Sequence, residues 1–278
     1  MKIILPSLDG RVIAEKIISN LLRLKNPQKI MAAVLVGDNK QSLSFIKQKE
    51  KIAKRLGIGL SIFQYEKNIS EPDLIKNIKN ICAQKNVGGV ITQLPLPDNF
   101  NREKVLSAIS PEKDVDALTD AGKKLVLPPS VGTVKEILRT TDYELRAKVV
   151  VVVGTGFLVG KPILEYLKGK CGELIGIDIG GDLNQLKNAD LIICGTGHAG
   201  LIKPAMLKNG AVVIDFGYSL KDGKLMGDFD ALNVPPKARL AIGGKSQMLN
   251  VGFYTPTPGG TGPILVAELF RNFYELNK

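Results

Sequence analysis

With 278 residues, the chain is long for one domain and sufficient for two, since domains usually run to about 100–200 residues. Hydrophobic (44%) and charged (23%) residues stand in a globular balance, which excludes wholesale disorder and allows a core without disulfide or metal staples. The net charge of +11 raises nucleic acid, an acidic membrane surface or an anionic ligand as partners. The three cysteines (Cys82, Cys171, Cys194) lack C-x-x-C spacing, which argues for a reducing compartment and against a disulfide framework or a zinc site. With one histidine and no tryptophan, catalysis falls to Lys, Asp, Gln, Tyr or a cofactor. The N-terminal MKIILPSLDGRVIAEK has no signal-peptide h-region, and no apolar run reaches the ~18 residues of a membrane helix. The expected location is the cytoplasm.

In chain order, Asp9-Gly10 opens an amphipathic stretch to about Leu24. Residues 29–36 (KIMAAVLV) read as a buried strand ending at Gly37-Asp38. Helical periodicity returns over 41–56, followed by a strand near 58–64, a helix over 71–84 and an apolar run at 89–93 that stops at Leu94-Pro95-Leu96-Pro97. Strands alternating with helices of this length indicate parallel βαβ units. Residues 121–132 form a Lys, Pro and Gly-bearing connection before a short helix at 133–140. A valine run at 148–153 then enters Gly154-Thr155-Gly156-Phe157-Leu158-Val159-Gly160 and a helix to about Lys168. Strands near 174–178, 189–194 and 211–215 make this block its own doubly wound parallel sheet. A stiff Thr255-Pro256-Thr257-Pro258-Gly259-Gly260 loop precedes a last helix to Asn277.

Gly154-x-Gly156-x-x-x-Gly160 follows a valine strand and opens a helix, the context a pyrophosphate-binding loop needs. Glycines let the backbone turn tightly and approach the ligand, and the helix N-terminus supplies N–H donors and partial positive charge. The next strand ends at Asp178, 24 residues after Gly154, where an acidic group takes the adenine-ribose hydroxyls. A carboxylate there repels a 2′-phosphate, so of NAD or NADP the residue chemistry favours NAD. An ordinary strand–turn–helix corner with an incidental aspartate is the bland alternative; context and spacing together weigh against it.

Several short stretches exceed what structure alone requires. Gln93-Leu94-Pro95-Leu96-Pro97 places an amide at the C-terminal end of a buried strand, where open α/β sheets bind ligands. Lys113-Asp114-Val115-Asp116 sets two carboxylates at an apparent domain boundary, and the helix at 41–56 carries Lys47, Lys49 and Lys51. The Thr255–Pro263 stretch (TPTPGGTGP) has glycines that permit close backbone approach.

Together with the glycine loop read as G-x-x-x-x-V-G-K-P, these segments resemble the bifunctional methylenetetrahydrofolate dehydrogenase/methenyltetrahydrofolate cyclohydrolase family. The resemblance runs from Leu8-Asp9-Gly10 to the C-terminal helix, with the motifs in family order. It implies an α/β fold with a βα-repeat catalytic domain over 1–119, completed by 256–278, and a Rossmann-like NAD(P)-binding domain over 120–255. The family helix motif S-x-x-Y-V-x-x-K-x-K reads here Ser42-Leu43-Ser44-Phe45-Ile46-Lys47-Gln48-Lys49-Glu50-Lys51. By that match the catalytic lysine falls on Lys49, the active-site glutamine on Gln93 and the pterin-binding aspartate on Asp116. Phe45 stands where the family has tyrosine; it can still stack on a ring but has lost a hydroxyl. Pro258, Gly259 and Gly262 are implied to pack against the substrate, and Gly154, Thr155, Gly156, Gly160, Asp178 and Thr196 to bind the cofactor, with no metal.

Two further departures from the family stand out. Its P-C-T-P segment is Leu127-Pro128-Pro129-Ser130 here, and its G-R-S is Gly154-Thr155-Gly156, without the arginine and serine associated with the NADP phosphate. The resemblance implies two reactions on tetrahydrofolate derivatives: hydride transfer from the methylene carbon to nicotinamide, then hydrolysis of the methenyl cation to 10-formyltetrahydrofolate. A lysine near a cationic substrate would have a lowered pKa and serve as base, with Gln93 orienting it or the water. Taken without the resemblance, three lysines on an amphipathic helix are a solvated face, and Asp116 is a helix N-cap before Ala117-Leu118. His198 is expected to be loop structure near the cofactor, and Cys194 a small buried hydrophobe. Phe45 leaves open a dehydrogenase without cyclohydrolase activity, and the altered segments together a non-catalytic folate- or nucleotide-binding homologue. The lysines are scattered and no nucleic-acid motif accompanies them, so neither nucleic acid nor membrane is an expected partner. A homodimer is implied by the resemblance alone.

Overall fold

The structure, a computed structural model, describes residues 6–278 apart from 222, 232–238, 243–244 and 249–250. The chain divides into two compact units, one of Ala14–Pro129 with Val266–Lys278, the other of residues 6–13 with Ser130–Leu265.

The first half of the chain contains α1 (Gly10–Leu22), β1 (Ile30–Val36), α2 (Lys40–Arg55), β2 (Leu60–Tyr65), α3 (Glu71–Ala83), β3 (Val87–Thr92) and the short α4 (Arg102–Leu106). The strands form a parallel sheet in the order β2-β1-β3. β1 is apolar throughout because both faces of a central parallel strand are covered; only its first residue is partly exposed. Edge strand β2 instead alternates, exposing Ile62 and Gln64. α2 starts where the Asn39 side chain accepts from the N–H groups of Gln41 and Ser42, and Lys54 and Arg55 complement its C-terminal dipole. α3 starts at Ser70, whose hydroxyl accepts from the Asp73 N–H.

The second half contains α5 (Pro129–Thr140), β4 (Val149–Val153), α6 (Gly160–Leu167), β5 (Glu173–Ile177), β6 (Leu191–Cys194) and β7 (Val212–Asp215). Two antiparallel pairs follow, β8 (Ser219–Lys221) with β9 (Lys224–Met226) and β10 (Arg239–Ile242) with β11 (Lys245–Met248). β12 (Phe253–Tyr254) and α7 (Thr261–Leu276) complete the chain. The five-stranded parallel sheet runs β12-β7-β6-β4-β5. From β4 the chain passes to β5 on one side, then returns to β6 on the other, so the strand order reverses at the C-terminal end of β4. Crevices at such reversals are where open α/β sheets bind ligands. Val151, Val153, Ile177, Leu186, Ile192 and Val213 are among the apolar residues buried beneath this sheet. Among the described residues no helix is long and apolar enough to cross a membrane.

The alternation expected from the sequence is present, with differences that have local causes. α5 begins at Pro129 rather than Thr133, because proline at the first helical position costs no hydrogen bond. The short pairs β8–β9 and β10–β11 were not foreseen; three- and four-residue strands of mixed polarity carry no readable period. The unit boundary falls at Ser130, not 120, and an α7 side chain shows why. Asn272 Nδ2 donates to the carbonyls of Val115 and Leu127, each at 2.8 Å, which ties residues 115–127 to the last helix. Residues 256–265 belong to the unit of the five-stranded sheet because Thr257 and Thr261 hydroxyls donate to the carbonyls of Gly217 and Asp215. Replacing Asn272 with alanine strands two carbonyls and is expected to cost about 2–4 kcal/mol, read as a lower urea midpoint.

Candidate active site

Three residues converge at the C-terminal edge of the three-stranded sheet. The Gln93 N–H donates to Val34 O at 2.8 Å and extends the β3 ladder by one residue. Its side-chain Nε2 donates to Leu94 O at 2.8 Å, which turns Oε1 outward to accept from Lys49 Nζ at 3.0 Å. Lys49 thus leaves the solvated face of α2: Lys47 and Lys51 are exposed, whereas Lys49 is half-buried. Phe45, one turn earlier and also half-buried, shares its face of the helix.

The two aspartates of the Lys113–Asp116 stretch part company. Asp114 is fully buried and accepts from the N–H groups of Leu118 (3.0 Å) and Thr119 (2.8 Å) and the Thr119 hydroxyl (2.7 Å). The capping role considered for Asp116 therefore belongs to Asp114, whose carboxylate is spent on the backbone. Asp116, half-buried, interacts electrostatically with Lys49. Burial holds the Lys49 amine below its ordinary pKa against the opposing pull of Asp116. Burial likewise pushes the Asp116 carboxyl up, with Lys49 opposing and Asp114 reinforcing the rise. Both groups are moved toward their neutral forms. That is an arrangement suited to moving one proton.

In the unit of the five-stranded sheet, a groove of about 300 Å³ opens at the strand-order reversal. Its lining includes Gly154, Gly156, Asp178, Ile179, Thr196 and His198. Gly154 has φ +87°, and a Cβ on Gly160 would fall 1.8 Å from Gly154 O, so only glycine lets α6 pack against the loop. Nothing lies within 4 Å of a Cβ built on Gly156, which leaves room for a ligand against the backbone. This cradle fits a pyrophosphate at the start of α6. Thr155 does not line the groove but acts through Asp178: its hydroxyl donates to Asp178 Oδ2 at 2.5 Å, while the Ile179 N–H donates to Oδ1 at 2.9 Å. The Thr155 and Ile179 hydrogen bonds hold the Asp178 carboxyl below the usual carboxylate range, so it is ionised at neutral pH.

His198 belongs to the groove wall, and its ring Nδ1 lies 3.1 Å from Thr196 O. Cys194 is fully buried; burial and the charges of Asp215 and Asp228 push its thiol well above its ordinary value, which makes it unreactive. The loop with Pro258, Gly259 and Gly262 is braced from below. Gly10 N–H donates to Gly259 O at 2.9 Å, and a Cβ on Gly10 would sit 1.7 Å from Gly260 O. That contact accounts for Gly10 in the Leu8-Asp9-Gly10 segment. Sequence reasoning missed the buried acids Asp215 and Asp228; the one legible signal was a carboxylate closing the apolar run at 211–215.

A parallel-sheet unit with a lysine–amide–carboxylate cluster and a doubly wound unit with a glycine-lined groove at its strand-order reversal have the make-up of an α/β enzyme that binds a nucleotide. The family description "tetrahydrofolate dehydrogenase/cyclohydrolase, catalytic domain" matches residues 8–116, and that family's NAD(P)-binding domain matches residues 128–278. The chain belongs to the tetrahydrofolate dehydrogenase/cyclohydrolase family. It is an oxidoreductase and hydrolase of one-carbon metabolism that uses a nicotinamide dinucleotide. Among its relatives, the bifunctional protein FolD of Clostridium tetani is 33% identical, with 98% of this chain and 99% of that protein covered. FolD of a Hydrogenobaculum species is 35% identical over 95% of this chain and 96% of its own length. The crystal structure of the bifunctional FolD from Campylobacter jejuni superposes with a TM-score of 0.86 at 29% identity, covering 98% of each chain.

Proposed function

We propose that Lys49, with Gln93 and Asp116, carries the hydrolytic half of the bifunctional activity, and that NAD is the preferred dinucleotide. The observation that carries the first statement is the Lys49–Gln93 hydrogen bond at the edge of β3, with Asp116 interacting electrostatically with the amine. Water adds to the methenyl carbon and the neutral Lys49 amine takes one of its protons; the C–N5 bond of the resulting carbinol then breaks as the hydroxyl proton passes to N5, which gives 10-formyltetrahydrofolate. A cationic methenyl substrate disfavours the ammonium further and keeps the amine free for that step. Gln93, its Nε2 anchored on Leu94 O, fixes the direction from which Lys49 acts. Asp116, driven toward its neutral form, can donate to as well as accept from a pterin ring. Phe45 offers a face for ring stacking one turn from the amine. When bound, the nicotinamide supplies the hydride acceptor of the oxidative half.

The NAD preference rests on Asp178. Its carboxylate, ionised and held by Thr155, accepts two ribose hydroxyls but repels a 2′-phosphate. Purified protein assayed with methylenetetrahydrofolate and either dinucleotide, and separately with methenyltetrahydrofolate, tests both statements. Faster turnover with NAD and enzymatic hydrolysis above the buffer rate are expected. Methenyl product accumulating with hydrolysis no faster than buffer would leave a dehydrogenase alone.

A further inference from the structure

Two buried acids, Asp215 and Asp228, take no part in the hydrolytic centre or the glycine loop. Asp215 closes β7. Its Oδ1 accepts from the N–H groups of Gly217 (2.7 Å) and Asp228 (3.2 Å) and from the Cys194 thiol (3.3 Å). Its Oδ2 accepts from the Phe229 N–H at 2.9 Å. Asp215 thereby fixes the backbone at 228–229, and Asp228 faces the loop after β6. Asp228 Oδ2 accepts both the backbone N–H and the hydroxyl of Thr196, the latter at 2.9 Å. Thr196 Oγ1 in turn accepts from the His198 N–H at 3.1 Å. The chain of bonds from Asp215 therefore ends on two residues of the groove wall. On its other side, the Thr196 methyl lies 3.0 Å from where a Cβ of Gly154 would stand. Thr196 is held between Asp228 and the first glycine of the loop.

Cys194, Asp215 and Asp228 bring their ligand atoms within 4.8 Å of one another, a spacing a metal site would share. N–H donors already bond both Asp215 oxygens and Thr196 bonds Asp228 Oδ2, so the cluster reads as a brace.

We infer that Asp228 is a positioning residue for dinucleotide binding, acting through Thr196 on the wall of the groove opposite Asp178. The inference rests on the groove being the dinucleotide site. β4 stands between β5 and β6, so Asp178 after β5 and Thr196 after β6 flank it. With the adenosine ribose at Asp178, the nicotinamide half extends toward Thr196. Because the N–H and hydroxyl of Thr196 are spent on Asp228, this wall contributes shape rather than donors.

The test compares the two activities in one protein. Asp228→Asn replaces charge-assisted bonds by weaker neutral ones. It is expected to raise the KM for the dinucleotide about tenfold. The ratio of dehydrogenase to cyclohydrolase kcat/KM falls by the same factor. Thr196→Val, which keeps the backbone N–H but removes the hydroxyl, is expected to give about a threefold effect. The double variant should then fall short of the product of the two singles, since both remove one contact. Equal loss of both activities, a ratio within twofold of wild type, or multiplicative effects would overturn the inference. If Asp228→Asn does not fold, an unchanged ratio in Thr196→Val does so alone. Titrating wild type with the reduced dinucleotide, followed by its fluorescence, separates the two layers. No binding overturns the groove's assignment and the inference with it; binding with an unchanged variant ratio overturns the inference only.

Discussion

Lys49→Ala is expected to slow methenyltetrahydrofolate hydrolysis by about 10²–10⁴-fold, the usual contribution of a positioned base, while hydride transfer falls far less. The asymmetry follows from what each step asks of the amine. Hydrolysis has a proton to remove from water, whereas hydride transfer needs alignment of donor carbon and nicotinamide. Lys49→Arg should be nearly as inactive in hydrolysis, because guanidinium stays protonated. The pH profile carries the same signature. Burial holds the Lys49 amine below its ordinary 10.5, so hydrolysis by wild type rises with pH to a midpoint below that value. The same displacement acts on stability with a definite sign. The folded chain binds the Lys49 proton less tightly than the unfolded chain does, so the charged lysine is a cost below the lowered pKa. That cost fades as pH rises toward 10.5. Lys49→Met is therefore expected to unfold at higher urea than wild type at pH 7, the gain vanishing in strong alkali. Equal loss of hydrolysis and dehydrogenation in Lys49→Ala would remove the lysine from the role given to it.

Asp178→Asn is expected to move the NADP-to-NAD ratio of kcat/KM upward by about 10²-fold, since like charges in contact are the strongest means of rejecting a ligand. Two changes add. The 2′-phosphate no longer faces a carboxylate, and the ribose diol of NAD loses a charged acceptor. Thr155 enters through its hydroxyl, which orients Asp178 at 2.5 Å. Thr155→Val should give part of the same effect without touching charge. A wild type that already prefers NADP would contradict the reading at its root, and parallel initial-rate measurements with both dinucleotides decide it.

Much of this was legible in the chain itself, and the reasons are local. The valine run before Gly154 and the KIMAAVLV run announce central parallel strands, because burial on both faces demands unbroken apolar residues. Gly154, Gly156 and Gly160 are spaced by the close approach of a helix start to a strand end, and that spacing survives in any alignment of letters. Asp178 follows from the length of one βαβ crossover. What was not legible depends on partners far apart in sequence. Periodicity does not separate Lys47, Lys49 and Lys51; the motif match picked Lys49, and the carboxamide of Gln93, 44 residues on, supplies the physical reason. The capping alternative considered for Asp116 fell to Asp114, because the turn at 117–119 offers its N–H groups to the first carboxylate and not the second.

The sequence by itself determined the fold class, the alternation of the longer strands and helices, the position of the glycine loop and the family, since periodicity, turn chemistry and motif spacing are properties of neighbouring residues. Tertiary structure alone decided which lysine is desolvated, which aspartate interacts with it, that Thr155 serves Asp178, and that Asp228 braces Thr196 from 32 residues away. Desolvation and hydrogen-bond pairing belong to the space around a group, and only the folded chain defines that space.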